Sequence, residues 1–191
     1  MTVKELHEEI VSIGKSQEKL RELGVKEGKA DNPKYSDPND MVHTGAITVG
    51  DAQILYDYVK NNDIKVVLEF GTWFGTSAYV MALAGAHVIT CDKNNVFVEY
   101  EPLVDKVSYF NMLSTEFLKQ NKGKFDFVFA DASLKAADPK MIKKAFSGPI
   151  RFATHDYTDG KKGVRNINKM RDVCDKTRLN AVGEIAFLEE K

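Results

Sequence analysis

Glu69, Gly71, Gly75 and Asp92 are the residues of this sequence whose types and spacing could capture a ribose-bearing ligand. A glycine permits a tight turn at positive φ and lets a ligand approach the backbone closely. The residues after Gly75 read as a helix, whose N-terminus offers unpaired N–H groups and partial positive charge to an anionic group. In nucleotide-binding folds an acid about 20 residues beyond such glycines grips the ribose hydroxyls. Asp92 has that kind of spacing from Gly71.

These residues need a strand, a turn, a helix and a second strand to position them. Ile64, Val66, Val67 and Leu68 suit a strand buried on both faces of a parallel sheet. Glu69 ends that run, 71–77 form the turn, 78–84 the helix, and 87–91 a second strand that stops on Asp92. A helix is expected over 2–23, with Val3, Leu6, Ile10, Ile13 and Leu20 in a stripe that Gln17 interrupts and Gly24 ends. The stripe is narrow, closer to a coiled-coil seam than to a core face. It leaves two readings: a partner-binding appendage, or an ordinary amphipathic helix on its own body. Residues 25–47 are polar and broken by Asn32-Pro33 and Asp37-Pro38, a solvated linker or a lid placing Tyr35, Met41 and His43 on a substrate.

Thr48 should cap a helix with Asp51 in its first turn. Residues 96–103 are a weak helix or loop, 107–110 a third strand, and Ser114 the cap of a helix through Lys119. A fourth strand, 125–131, ends on Asp131; Asp138-Pro139 opens a helix; a fifth strand, 149–154, ends in His155-Asp156-Tyr157. A basic helix follows over 161–178, with Val164, Ile167, Met170 and Val173 inward and Lys161, Lys162, Arg165, Lys169 and Arg171 on a solvated face. A single last strand spans 181–188. Alternating strands and helices predict an α/β, doubly wound, mostly parallel sheet of about six or seven strands. The expected division is an N-terminal helix and linker over 1–47 and a ligand-binding domain over 48–191. In such sheets ligands bind beyond the C-terminal strand ends, and four polar clusters fall there: 69–77, Asp92, 131–133 and 155–157.

Composition excludes several classes. A net charge of −1 gives no general attraction to nucleic acid or an anionic membrane. No apolar run reaches the ~18 residues of a membrane span. The first ten residues are charged throughout, without the apolar core of an export signal. Two cysteines, Cys91 and Cys174, suit inert thiols in a reducing, cytoplasmic setting.

The glycine loop reads E-x-G-x-x-x-G-x-S over 69–77, lacking the third glycine of the dinucleotide pattern G-x-G-x-x-G. In this form it resembles the S-adenosylmethionine-binding loop of class I methyltransferases. The stretch HDYTDGKKGVRN from His155 is similar to small O-methyltransferases of the macrocin type. The resemblance implies a Rossmann-like methyltransferase fold, S-adenosyl-L-methionine as cofactor, and O-methylation of a small hydroxylated molecule. It puts Glu69, Gly71 and Gly75 at the methionine end of the cofactor and Asp92 at the ribose. Phe70, Thr72, Thr76, Ser77, Lys93, Met112, Leu113 and Asp131 complete the implied cofactor set, Met112 and Leu113 lying where the family contacts adenine. Trp73 or Phe74 could face the sulfonium, or one could pack beneath the turn while the other lines the pocket. His155, with an unperturbed pKa of ~6.5, would be the general base, oriented by Asp156.

Catechol-type relatives hold magnesium with acids after the fourth and fifth strands, here Asp131 and Asp156; Tyr157 stands where their third ligand, an Asn, is expected, so a divalent metal is not favoured. The family's C-terminal hairpin is represented by one candidate strand, leaving open an enzyme that cleaves the cofactor, by lyase or hydrolase chemistry. A nucleic-acid methyltransferase is disfavoured, because Asp131-Ala132-Ser133-Leu134 is not the D/N-P-P-Y/F motif. A non-catalytic module and a nicotinamide dehydrogenase are the remaining alternatives, and a homo-oligomer through the first helix is possible.

Overall fold

Val67 and Leu68 turn to opposite faces of one sheet, and each face is dry. In the computed structural model, which describes residues 1–15, 46–121, 123–146, 148–157, 162–174 and 176–191, both are fully buried, each in a different core cluster. Alternation puts successive side chains on opposite faces, so a strand apolar at consecutive positions must be covered twice.

The elements in chain order are α1 (Val3–Lys15), α2 (Val49–Asn61), β1 (Val66–Phe70), α3 (Thr76–Leu83), β2 (His87–Asp92), a short 3₁₀ turn (Val104–Lys106), β3 (Val107–Asn111), α4 (Ser114–Gln120), β4 (Phe127–Ala130), α5 (Asp138–Ala145), β5 (Arg151–Thr154), α6 (Lys162–Arg171), β6 (Thr177–Val182) and β7 (Ile185–Glu190). The strands make one seven-stranded sheet of order β3-β2-β1-β4-β5-β7-β6. β1 to β5 pair in parallel, while β7 runs antiparallel to both β5 and β6. The doubly wound, mostly parallel expectation holds. The first three helices cover one face, through Leu6, Leu55 and Tyr79 among others. The last three cover the other, through Phe117, Ile142 and Ile167. Strand order reverses between β1 and β4, which opens the crevice where open α/β sheets take ligands.

Of the two readings of the first helix, the structure gives the second. Val3, Leu6, Ile10 and Val11 are buried, and the first three of these join the α2–α3 core. His7 adds a buried tie, its Nε2 lying 2.6 Å from the carbonyl of Ile47. At the other end Gly14 lies against the Phe74 ring, where a Cβ would come within 2.4 Å of a ring carbon. The rest of the expected helix, with Gln17, Leu20 and Gly24, and the linker positions Tyr35, Met41 and His43, lie outside the described residues.

Three local expectations need correction. The C-terminal hairpin is present: β6 and β7 pair from Thr177↔Glu190 to Val182↔Ile185 around the two-residue turn Gly183-Glu184. Gly183 has φ 59°, the conformation such turns demand, and this turn cuts what reads as one strand over 181–188 into two. Ser114 is the first helical residue of α4 rather than its cap, and its hydroxyl donates to Asp138 across to α5. The basic helix stops at Arg171, and its face is not simply solvated. Asn166 is 1% exposed, Val164 only half-buried, and both Lys162 and Lys169 bond inward.

Candidate active site at the strand ends

The Glu69 side chain defines the glycine loop from below. It follows Val67 on the face covered by α3, and it is 0% exposed. Ser77 on α3 and Thr90 on the neighbouring β2 donate their hydroxyls to its two carboxyl oxygens, and Thr72 of the loop bonds Thr90 in turn. One acid therefore ties β1, β2, the turn and α3 together. Burial drives its pKa up, the Ser77 and Thr90 hydroxyls acting the other way, and the carboxyl sits at about 8. It is a neutral acid at pH 7 and does not line the ligand cavity.

Above it the chain turns on Gly71 and Gly75, each at φ 93°. A Cβ on Gly71 would lie 2.7 Å from the Ala132 nitrogen, so the turn passes β4 with no room for a side chain. Gly75 precedes α3 and supplies no side-chain cap. The Thr76 hydroxyl beside it is buried and unpartnered. Of the two loop aromatics, Phe74 packs underneath, fully buried, and Trp73 lines the cavity.

That cavity has a volume of about 820 Å³ and runs along the ends of β2, β1, β4 and β5, within the size range of small-molecule sites. Its first half is bordered by Phe70, Gly71, Asp92, Lys93, Met112 and Leu113, all of them expected from the sequence. Asp92 accepts the Trp73 N–H at 3.0 Å and the Asn94 N–H at 2.8 Å, one on each carboxyl oxygen. Each oxygen keeps a second lone pair for a ligand hydroxyl. Thr72, Thr76 and Ser77 instead border a crevice of about 10 Å³ on the far side of the loop, shared with Ala46 and Asp131. The chain offers S-adenosylmethionine a fitting set in this cavity: a free edge of Asp92 for a diol, and apolar Met112 and Leu113 for a flat base.

The second half of the cavity is ionic. His155 lies among four carboxylates. Its Nδ1 is 3.2 Å from Asp156 and 3.4 Å from Asp131; its Nε2 is 3.5 Å from Asp51 and 3.6 Å from Glu184. Burial pulls the imidazole down, but the carboxylates of Asp131 and Asp51 close to its nitrogens, and the Asp156 charge, outweigh it, raising the pKa to about 10. Burial pushes the Asp131 and Asp51 carboxyls up, and His155, with Lys162 beside Asp131 and Thr48 beside Asp51, holds both below the usual range. General-base work of the kind expected of His155 needs the neutral ring, and carboxylates facing both ring nitrogens favour the charged form instead. Asp156, at φ 58° in the left-handed region, is the more open carboxylate of the two at the strand ends.

Sequence reasoning missed three members of this cluster. Asp51 reads only as a helix-start acid, yet it accepts the Glu184 N–H at 3.1 Å. Glu184 sits on the unrecognised hairpin turn, which the Gly-Glu pair between alternating apolar residues could have signalled. Lys162 reads as solvated, yet its ammonium reaches Asp131 Oδ1 at 2.5 Å and Asp156 Oδ2 at 2.7 Å. With that ammonium seated between the two acids, they do not fit a divalent cation as they stand.

The raised His155 pKa sets the sign of a pH effect. Its charge stabilises the fold fully below ~6.5, the unfolded value, and the contribution drains away as pH climbs towards about 10. The melting-temperature gap between the wild type and His155→Asn should be widest near pH 6 and shrink steadily to pH 10. A gap constant across that range would mean the ring is not held as an imidazolium.

No protein-family model matches the chain, and no curated protein does. Solved structures do share its architecture. The O-methyltransferase from Bacillus cereus in complex with SAH aligns with a TM-score of 0.60 at 19% identity, over 92% of each chain. The O-methyltransferase TomG from Streptomyces achromogenes, in complex with SAM, gives 0.59 at 15% identity, over 92% of this chain and 90% of that one. SAH-bound Podospora anserina methyltransferase PaMTH1 gives 0.60 at 15% identity, over 91% and 88%. At these identities the likeness concerns the fold: the chain has the Rossmann-like fold of class I methyltransferases.

Proposed function

We propose that the chain is an S-adenosylmethionine-dependent O-methyltransferase acting on a small hydroxylated molecule. One observation carries the reading: the glycine turn and the free edge of Asp92 open into the same cavity as the Asp131–His155–Asp156 cluster. A ribose held at one end thus leaves the other end free for an acceptor.

S-adenosylmethionine would supply an electrophilic methyl group on a sulfonium. Asp92 holds the ribose hydroxyls, with the neighbouring Lys93 at its rim. Phe70, Met112 and Leu113 flank the base; Leu113 is 43% exposed without ligand, as an apolar wall awaiting a partner would be. Gly71 and Gly75 let the turn approach the methionine end of the cofactor. Glu69, Thr72 and Ser77 hold the turn from beneath, a shaping role rather than the direct grip expected of Glu69. Asp156 accepts the acceptor's hydroxyl hydrogen and aims its oxygen; Asp131 and His155 keep Asp156 in place. Alignment of this kind can contribute ~7–11 kcal/mol to a bimolecular transfer.

The hairpin borders the cavity through Glu184, which removes the missing-wall argument for a cofactor-cleaving enzyme. The net charge of −1 supports a small acceptor over nucleic acid. Among the described residues no helix is long and apolar enough to cross a membrane. A cytoplasmic setting belongs to the proposal, supported by the small number of cysteines and by Cys91, a buried thiol in β2. Val3, Leu6 and Ile10 of the α1 stripe are buried within the chain, so an oligomer through that helix is not part of the proposal.

The test is product analysis with a panel of phenolic, sugar and carboxylate acceptors. Acceptor-dependent S-adenosylhomocysteine is the expected product. Methylthioadenosine in its place, or no binding of the cofactor by calorimetry, would remove the reading.

A further inference from the structure

Lys162 sits between Asp131 and Asp156, the two acids that follow the fourth and fifth strands. Its three N–H bonds are all assigned: to Asp131 Oδ1 at 2.5 Å, to Asp156 Oδ2 at 2.7 Å, and to the Asp131 carbonyl. An ammonium has three donors and no acceptor, so the side chain is saturated. A magnesium ion needs near-octahedral oxygens at 2.0–2.1 Å and keeps several waters. It would have to take the same carboxylate oxygens while a positive charge sat within hydrogen-bond distance of them.

The fold builds this arrangement rather than merely permitting it. Gly163, next to Lys162, lies so close to the end of β5 that a Cβ would meet Tyr157 Cα at 2.7 Å and the His155 carbonyl at 2.8 Å. Backbone stands on the far side, so nothing there can swing away. One turn on, the Asn166 amide donates to the Ala132 carbonyl and to the Thr154 hydroxyl, and its oxygen accepts the Leu134 N–H, all at 3.0 Å. Lys169 donates to the Leu134 carbonyl at 2.5 Å. Four positions of α6 thus fix its N-terminal turn over Asp131 and Asp156. The left-handed φ of Asp156, uncommon for a non-glycine residue, is the price of aiming its carboxylate at this lysine.

We propose that Lys162 is the resident cation of the acceptor end: a positioning residue whose ammonium holds Asp131 and Asp156 in their working geometry without a divalent metal. It follows that removing the lysine converts the pair into a metal site. The first part rests on the methyl-transfer reading, because it assumes that the acceptor meets these acids; the second part does not.

Titration with manganese(II) alone, followed by electron paramagnetic resonance and by thermal shift, tests it on the full chain. Wild type should show no specific uptake. Lys162→Ala and Lys162→Met, the latter keeping the aliphatic stem in case the alanine variant folds poorly, should bind at least about tenfold more tightly. Adding Asp156→Asn to either should abolish that gain. Lys162→Arg keeps the charge and should stay metal-blind. Equal manganese affinity in wild type and both neutral variants overturns the proposal, as does a gain that survives Asp156→Asn. No cofactor enters these measurements, so they stand apart from product analysis. If methyl transfer is established, chelators should leave wild-type turnover unchanged, and Lys162→Met should raise the acceptor KM and regain activity with manganese.

Discussion

Replacing Asp92 with alanine is expected to weaken S-adenosylmethionine binding by roughly 10²–10⁴-fold. Each hydrogen bond to a charged group contributes about 1.5–3 kcal/mol; two ribose hydroxyls on one carboxylate come to roughly 3–6 kcal/mol, with tenfold in affinity for every 1.4 kcal/mol. The carboxylate also fixes the loop, because its oxygens accept the Trp73 and Asn94 N–H groups. Those two donors lie near the cavity and can turn to water, so the fold should survive the change. Asp92→Asn keeps one carbonyl oxygen and should fall between wild type and alanine. Calorimetry on the three proteins, with melting curves to verify folding, gives the answer. Unchanged affinity in the alanine variant would move the ribose, and with it the proposed cofactor, elsewhere.

The second large effect concerns stability and separates two roles for Glu69. If the acid gripped the cofactor directly, Glu69→Gln would destroy binding. The structure has it buried beneath the turn, uncharged at pH 7, with Ser77 and Thr90 as partners. Glutamine has the same shape, no charge, and an amide that can serve both hydroxyls. Glu69→Gln should therefore bind cofactor within a few-fold of wild type. Glu69→Ala strands two buried hydroxyls at about 1–3 kcal/mol each, and at ~2–4 °C per kcal/mol in a chain of this size the melting temperature should fall by about 5–20 °C. The pH dependence has a definite sign. The folded pKa of about 8 lies above the ordinary carboxyl value, so wild type loses stability as pH rises from ~4.5 to 8. Glu69→Gln lacks that term and should gain on wild type as pH rises from ~4.5 to 8, with the difference levelling off above the folded pKa. Loss of binding by the glutamine variant with a normal melting curve would restore the direct-grip role.

Much of this protein follows from short-range pattern. The doubled apolar run at Val67 and Leu68 dictates a strand covered on both sides. The glycines at 71 and 75 and the acid at 92 mark one binding unit, because turn geometry and spacing are local properties of the chain. The clusters at Asp131 and His155-Asp156 are legible for the same reason: each ends an apolar strand, and parallel strands of a wound sheet end on one rim. Tertiary structure decided what those groups do to one another. Alternation tells that Glu69 faces one side, but not that Ser77 and Thr90 will meet it there and keep it neutral. The Lys162 charge looks solvated on a helical wheel, because a wheel shows periodicity and not the two carboxylates that β4 and β5 bring under that helix. His155 carries a base's intrinsic pKa in sequence; four carboxylates from four separate segments make it an imidazolium. Burial and charge add over everything within a few ångströms, whatever its distance along the chain, and only the packed sheet makes Asp51, Asp131, Asp156 and Glu184 neighbours.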